Sequence, residues 1–155
     1  MTSDGISTED WDVVKDLSAR IANAVVGNDS RANAVLTREL FQYVATLEAR
    51  YGSLPSILAT KADYTDDLSL REKLLERGWH EAKKIGDKAN LVFISSSLAA
   101  LFINELCRVQ AGKKWLSLLE EALESHWDDD EHEEYRRLSE DIQKLEANSQ
   151  AREGS

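Results

Sequence analysis

Two short segments resemble metal-binding motifs, and both are incomplete. The segment that starts at His80 begins like the zinc-protease helix motif, but Lys84 occupies the position of the second histidine. The segment that starts at His132 fails in the same way, with Arg136 at that position. A di-iron bundle needs inward Glu-x-x-His pairs, and no histidine of this chain has a glutamate three residues before it. The sequence therefore predicts neither a zinc site nor a di-iron site.

Nucleophile and phosphate-loop motifs are incomplete as well. Gly112, followed by two lysines, lacks the upstream glycine of a phosphate loop, and the serines at 95–97 lack the flanking glycines of a nucleophile elbow. Cys107 lies between Leu106 and the Arg108–Val109 pair in a largely apolar stretch, which favours a buried structural cysteine over a reactive thiol. We expect no catalytic residue, no cofactor and no enzymatic activity.

Acidic residues are concentrated toward the end of the chain. The net charge is −10, and residues 117–155 carry 13 acids against 4 bases, whereas residues 1–116 carry 16 against 15. His126, Asp128–Glu131 and His132 offer ligands for a divalent cation, but the glycine turn of a calcium loop is missing, so a solvated helix junction is favoured. The asymmetry indicates either a solvated end helix or an acidic surface for a basic partner.

Composition also limits the classes of partner and the compartment. Overall acidity argues against nucleic-acid binding, and the bases between Arg71 and Lys88 alternate with acids, which predicts a helix face laced with ion pairs. The most apolar segment, 91–109, is interrupted by serine, asparagine, glutamate and arginine, so we expect no membrane span. One cysteine and no basic-then-apolar start lead us to expect a cytoplasmic protein.

Helices should account for almost the whole chain. One proline, seven glycines and long stretches rich in Ala, Leu, Glu, Lys and Arg predict an all-α fold of about seven helices in a single domain, 1–148, followed by a disordered tail, 149–155. The predicted helices cover about 8–26, 30–51, 55–64, 69–85, 88–110 and 131–147, with the sixth in chain order starting at a tight turn marked by Gly112.

Capping residues set the predicted helix ends. Ser7 or Thr8 should cap the first helix, Ser30 the second and Asp87 the fifth, while Ser69 and Glu72 have the spacing of a capping box for the fourth. The predicted stops of the first, second and fourth helices are Gly27, Gly52 and Gly86. Gly78, inside the fourth helix, predicts the close approach of another helix backbone.

Apolar and aromatic residues recur at a spacing typical of helical repeats. Leu75, Trp79 and Ala82 are matched 36 residues later, and a second matched set lies in the helices before them. The matching residues are Ala111, Trp115 and Leu118, and then Leu58, Ala59 and Ala62 with Leu98, Ala99 and Phe102. Over about residues 55–125 the chain resembles the tetratricopeptide-repeat family. The resemblance implies antiparallel helix pairs in a right-handed solenoid with a C-terminal capping helix; a plain helical bundle is the alternative.

The same resemblance implies a non-enzymatic module that binds a protein or peptide. In that family the first helix of each pair lines the binding groove, which here assigns partner contacts to Lys61, Tyr64, Ser97, Asn104 and Arg108. The alternative function is an immunity or antitoxin-like inhibitor of a basic toxin, acting through Asp128, Asp129, Asp130 and Glu131. A third possibility is a homodimer formed by exposed apolar faces.

Overall fold

The computed structural model describes residues 1–154, and within them it contains seven α-helices and no strand. In chain order the helices are α1 (Thr8–Val26), α2 (Ser30–Tyr51), α3 (Pro55–Asp63), α4 (Leu68–Ile85), α5 (Lys88–Ala100), α6 (Val109–Ser125) and α7 (Asp129–Glu153). Helix α5 continues directly into a π-helical segment, Leu101–Glu105, which we call the π segment. The prediction of an all-α fold is confirmed.

Aspartates cap most of the helices. Ser7 caps α1 and Asp87 caps α5, as predicted. At the start of α2 the amide of Ala32 donates to Asp29 Oδ1 over 3.0 Å, and at α4 the amide of Leu70 donates to Asp67 Oδ1 over 3.1 Å. The predicted caps Ser30 and Ser69 are therefore wrong. In both cases an aspartate that precedes the predicted serine takes the position, because its carboxylate reaches the free amides of the first turn.

Helix α3 is capped by a residue distant in sequence. Pro55 occupies its first turn, as predicted, and its N-cap residue, Leu54, has no side chain able to accept a hydrogen bond. The backbone amide of Ser56 instead donates to Asp4 Oδ2 over 2.7 Å, and the Ser56 hydroxyl donates to Asp4 Oδ1 over 3.0 Å. The segment before α1 thereby satisfies the start of α3.

The boundary between α5 and α6 differs from the prediction. The chain leaves the π segment at Leu106 and reverses at Cys107, whose φ of 51° is left-handed, and α6 begins at Val109. The amide of Arg108 donates to the carbonyl of Phe102 over 2.8 Å across this turn. Gly112 is thus inside α6 and marks no turn, and Cys107 is exposed, so the prediction of a buried cysteine is wrong.

Both helical glycines lie where other elements approach closely. A Cβ atom on Gly78 would stand 3.1 Å from Ile94 Cδ1 and 3.8 Å from the backbone oxygen of Pro55, which confirms the predicted close approach. A Cβ atom on Gly112 would stand 2.7 Å from Ile103 Cγ1, on the π segment. The absence of a side chain at these two positions lets α3, α5 and the π segment pack tightly on α4 and α6.

Helix α7 extends beyond its predicted end. It begins at Asp129 and runs to Glu153, so residues 149–153, which were predicted to belong to a disordered tail, are helical. The last residue of that predicted tail, Ser155, lies outside the described residues. Leu138 and Ile142 are the buried residues of α7, in agreement with the expectation of a largely polar helix.

The core consists of two main clusters and a small third one that joins α5 to α6. Buried residues of α1 and α2 form the first cluster, and those of α4, α5, the π segment, α6 and α7 form the second. Helix α3 contributes to both, through Ile57 in the first and Ala59 and Ala62 in the second. Each helix packs on its neighbours in the chain, and α5 also contacts α3 and α7. None of the helices within residues 1–154 is long and apolar enough to span a membrane.

Candidate functional site

A narrow strip along α5 and the π segment reaches the surface. It contains Phe93, Ser97, Ala100 and Asn104, which recur at intervals of three and four residues and so share one helix face. Phe93 and Asn104 are exposed and the two small residues between them are half-buried, whereas most other residues of α5 are buried. We call this strip the α5 stripe.

A polar cleft lies on one side of the α5 stripe, with a volume of about 260 Å³. Its walls come from the end of α3, the first turns of α4, the end of α5 and the π segment. The lining residues are Asp63, Arg71, Leu75, Ser97, Ala100, Leu101, Asn104 and Glu105. Arg71 donates from Nη2 to the carbonyl of Thr65 over 2.7 Å, while its buried Nε has no hydrogen-bond partner. This N–H is therefore a buried donor without an acceptor among the described residues.

Asp63 is an acidic residue of the polar cleft whose pKa is raised. Protein atoms that displace water from part of its carboxyl raise its pKa from 3.8 to about 6, and the positive charge of Arg71 opposes this effect. The residue keeps contact with solvent at the rim. The charge of this cleft therefore changes in a mildly acidic solution.

A second, acidic cleft lies on the other side of the stripe, with a volume of about 290 Å³, where α7 packs beside α5. Its lining residues are Ser96, Ser97, Ala100, Asp130, Glu131 and Glu134. Partial burial raises the pKa of Glu131, a hydrogen bond with Ser96 lowers it, and the neighbouring acids raise it further. Glu131 Oε2 is buried without a hydrogen-bond partner.

Ser97 and Ala100 line both clefts, so the two form one surface that crosses the α5 stripe. Their short side chains leave the ridge between the clefts low. Five acidic residues and one basic residue line the combined surface, which is therefore negative: Asp63, Glu105, Asp130, Glu131 and Glu134 against Arg71. Such a surface attracts positively charged groups.

The structure brings together two of the five predicted partner-binding residues. Ser97 and Asn104 both line the polar cleft. Arg108, at the start of α6, forms an ion pair with Glu72 of α4, with Nη1 3.7 Å from Oε1. Lys61 Nζ donates to Glu48 of α2 at 3.1 and 3.2 Å, and Tyr64 packs on the cluster formed by α1 and α2, so neither of these two lines a cleft.

The predicted acidic patch is divided between two tasks. Asp128 caps α7 by accepting from the amide of Glu131, and Asp129 accepts from Trp127 Nε1 over 2.7 Å. Asp130 and Glu131 line the acidic cleft. Within residues 1–154 no group of three or more His, Cys, Asp or Glu side chains is arranged to hold a metal ion.

Residues missed by sequence reasoning include Asp63 and Arg71. Arg71 was interpreted as one of the ion-paired residues of an exposed helix face, yet in the described part of the chain no ion pair joins two residues of α4. That prediction is wrong, because the bases of α4 point to solvent, to the polar cleft or to an aromatic ring. The sequence did offer one signal for this pair: Asp63 ends one helix and Arg71 lies in the first turn of the next, so the two side chains could have been expected near each other.

Comparison of the chain with protein-family models, with curated proteins and with solved structures gives no match.

Proposed function

We propose that this protein is a non-enzymatic module of helical-repeat type that binds a peptide or a protein segment across the α5 stripe. The observation that carries the proposal is the position of two clefts on opposite sides of one exposed strip, with Ser97 and Ala100 common to both. The proposed setting is the cytoplasm, because a single exposed cysteine offers the fold no disulfide.

The packing order of the helices supports a repeat architecture. Helix α1 packs on α2, α3 on α4 and α5 on α6, and each such pair contacts the next. Helix α5 also contacts α3 and α7, as expected if the first helices of successive antiparallel pairs share one surface and α7 caps the array. The division of the core into successive clusters, with α3 in two of them, fits the same architecture.

The ligand we propose is a segment rich in lysine or arginine. The acids of the two clefts attract positive side chains and would raise the association rate. Hydrogen bonds to the ligand backbone are assigned to the side-chain amide of Asn104 and to the guanidinium of Arg71, since both residues line the polar cleft. Affinity should consequently fall as the salt concentration rises.

The test uses peptides selected from a random library on the immobilised protein, with affinities measured by fluorescence anisotropy. Selected peptides should be enriched in basic residues. The variant Ser97→Arg, which fills the low ridge and adds a positive charge, should weaken their affinity about tenfold or more. Ser117→Arg is the matched control, since Ser117 is exposed on α6 away from both clefts. Lys61→Glu should also leave affinity unchanged. Selected peptides that bind Ser97→Arg as well as the wild type would refute the proposal.

An acidic inhibitor of a basic toxin is the second candidate, and the position of Asp130 and Glu131 in the acidic cleft favours it. The two candidates differ at Asp129, which lies outside both clefts. A toxin that covers the whole start of α7 would associate more slowly with Asp129→Asn, whereas a peptide confined to the clefts would not. Stopped-flow association rates at low salt distinguish them.

A further inference from the structure

A third cavity, of about 220 Å³, opens between α4, α5 and α6, on a different part of the surface from the α5 stripe. Its apolar walls include Trp79, Leu91, Leu118 and Ala122, and it extends to Ser125 at the end of α6. We call it the α4–α6 cavity. An engineered apolar cavity of roughly 150 Å³ binds benzene. The α4–α6 cavity can therefore accept a larger aromatic ring.

Lysines surround this cavity without acidic partners. Lys83 and Lys88 line it and Lys84 adjoins Lys83, and none of the three forms an ion pair among residues 1–154. Lys83 Nζ lies 5.4 Å from the ring centroid of Trp79, while Glu121 is the single acidic residue in the lining. The cavity thus combines an apolar floor with a positive rim, which suits an aromatic group flanked by negative charges.

The chain itself carries such a group at Trp127. This indole is 60 % exposed, whereas the other three tryptophans are buried or half-buried. The residues that follow it are Asp128, Asp129 and Asp130. Its ring packs on His132 with centroids 4.4 Å apart, and Nε1 donates to Asp129, so the side chain is held in place at the surface. A large aromatic surface exposed among charges is typical of a contact site.

Cavity and tryptophan are neighbours on the surface, because Ser125 lines the cavity and Trp127 is two residues further along the chain. A two-fold axis beside them would place each Trp127 opposite the cavity of the other copy. We propose that two copies of this chain form an isologous dimer in which each Trp127 enters the other copy's α4–α6 cavity. The aspartates after Trp127 then face Lys83 and Lys88 of the partner.

A second copy is favoured over an unrelated acidic peptide for two reasons. The same chain supplies both the aromatic group with its acids and the cavity with its lysines, and it supplies them side by side, as a self-complementary contact requires. Ile85, 51 % exposed beside the cavity-lining Gly86, adds apolar surface at the edge. The dimer leaves the α5 stripe itself outside the contact and shares only Asp130 with the acidic cleft. Self-association is measured without any peptide, so failure of this proposal and failure of peptide binding remain distinguishable.

Sedimentation velocity over a range of protein concentrations tests the dimer. The wild type should approach twice the chain mass of 17.4 kDa as concentration rises, and high salt should weaken the association. Trp127→Ser, and separately the double variant Lys83→Glu with Lys88→Glu, should raise the dimer dissociation constant about tenfold or more. Val26→Ser is the control: it removes an 85 % exposed apolar side chain elsewhere and should dimerise like the wild type.

Mixing the two defective variants tests the reciprocal arrangement. Trp127→Ser keeps an intact cavity, and the lysine variant keeps an intact tryptophan, so the mixture regains one of the two contacts and should associate more strongly than either variant alone. All the changed residues are exposed at the surface, and circular dichroism checks that each variant remains folded. A wild-type protein that stays monomeric at every concentration would overturn the proposal, and so would a monomer whose α4–α6 cavity binds an acidic peptide. A dimer insensitive to Trp127→Ser would overturn it equally.

Discussion

Among single residues, Asp10 provides the clearest electrostatic link, joining α1 to the end of α2. Its carboxylate accepts from Tyr51 Oη over 2.6 Å, from Arg50 Nη1 over 2.8 Å and from Tyr43 Oη over 3.3 Å. The hydrogen bonds from Tyr51 and Arg50 lower the pKa of Asp10 from 3.8 to about 2. Because the folded-state pKa lies below the unfolded one, the stabilisation is present above about pH 4 and is lost as pH falls toward 2.

Urea denaturation of wild type and Asp10→Asn at several pH values tests this link. The variant should be less stable near neutral pH, and the difference should shrink between about pH 4 and pH 2. Asp12→Asn is the control, since Asp12 is exposed and pairs only with Lys15 on the same helix. A stability difference for Asp10→Asn that stays constant down to pH 2 would contradict the assignment.

Cys107 carries local backbone strain. Its φ of 51° places a residue with a Cβ in the left-handed region, which costs an L-residue roughly 1–2 kcal/mol. Cys107→Gly should therefore raise the free energy of unfolding by about 0.5–1 kcal/mol, the remainder being offset by the greater freedom of glycine in the unfolded chain. Cys107→Ala keeps the Cβ and should leave stability unchanged. Equal stabilities of the glycine and alanine variants would show that the turn is relaxed.

The role of a single residue could be predicted from the sequence where the interaction that decides it joins residues close together in the chain. Ser7, one of the two caps predicted for α1, is confirmed, and its partner, the amide of Asp10, lies only three residues away. The cap of α2 was displaced by one residue, since Asp29 and Ser30 are both good caps and the sequence contains nothing that chooses between them. Cys107 was misplaced because its apolar neighbours predict burial, whereas the turn that follows the π segment directs it outward.

Among the elements, the packing of α6 on the π segment depends on Gly112. A Cβ atom there would lie 2.7 Å from Ile103 Cγ1 and 3.1 Å from Ile142 Cδ1. Alanine improves helix propensity by about 1 kcal/mol, but overpacking of a buried contact costs typically 1–3 kcal/mol. We expect Gly112→Ala to lower the free energy of unfolding by about 1–2 kcal/mol, measured by urea denaturation.

Gly78→Ala is the matched comparison for that prediction. A Cβ atom on Gly78 would lie 3.1 Å from the terminal methyl group of Ile94, its nearest neighbour, and that methyl group needs to move by only a few tenths of an ångström. The gain in helix propensity should offset most of this cost, so Gly78→Ala should be less destabilising than Gly112→Ala. The reverse order of the two variants would contradict the packing derived for the π segment.

Helix boundaries were predictable where glycine marks them. Gly27, Gly52 and Gly86 end α1, α2 and α4 as expected, because the glycines at 52 and 86 adopt positive φ and all three provide the closing amide. No glycine or proline marks the boundary between α5 and α6, where the π segment and the turn at Cys107 separate them. The apolar periodicity of the sequence continues through this region, so the sequence does not indicate where α5 ends. The end is set in the folded chain, where Ile103 of the π segment packs against Gly112.

For the whole molecule, the all-α fold followed from local signals, but the candidate site did not. Ser97 and Asn104 were identified because both belong to the face of α5 implied by the repeat resemblance. Lys61 and Tyr64 were assigned to the same groove, yet contacts with α2 and with the cluster of α1 and α2 hold them elsewhere. Asp63 and Arg71 became part of the site only through the packing of three helices, which no spacing within one helix encodes.

The two parts of the core are joined by a polar network that begins at Asp4. Asp4 accepts from the amide and the hydroxyl of Ser56 on α3, and the side-chain amide of Asn90 on α5 donates to the Ser56 hydroxyl over 3.1 Å and to Asp87 over 2.6 Å. Ser56, Asp87 and Asn90 are buried, so loss of Asp4 would leave the start of α3 without its acceptor.

Asp4→Ala should therefore lower the free energy of unfolding by about 1–2 kcal/mol, the usual cost of losing a helix cap. Hydrogen exchange gives a sharper readout, because the Ser56 amide should lose protection first and the amides of α1 and α2 should follow more than those of α5 and α6. Asp66→Ala removes an exposed acid from a loop and should change neither measurement. Equal loss of protection in both parts of the core would instead mean that Asp4 stabilises the molecule as one cooperative unit rather than joining two.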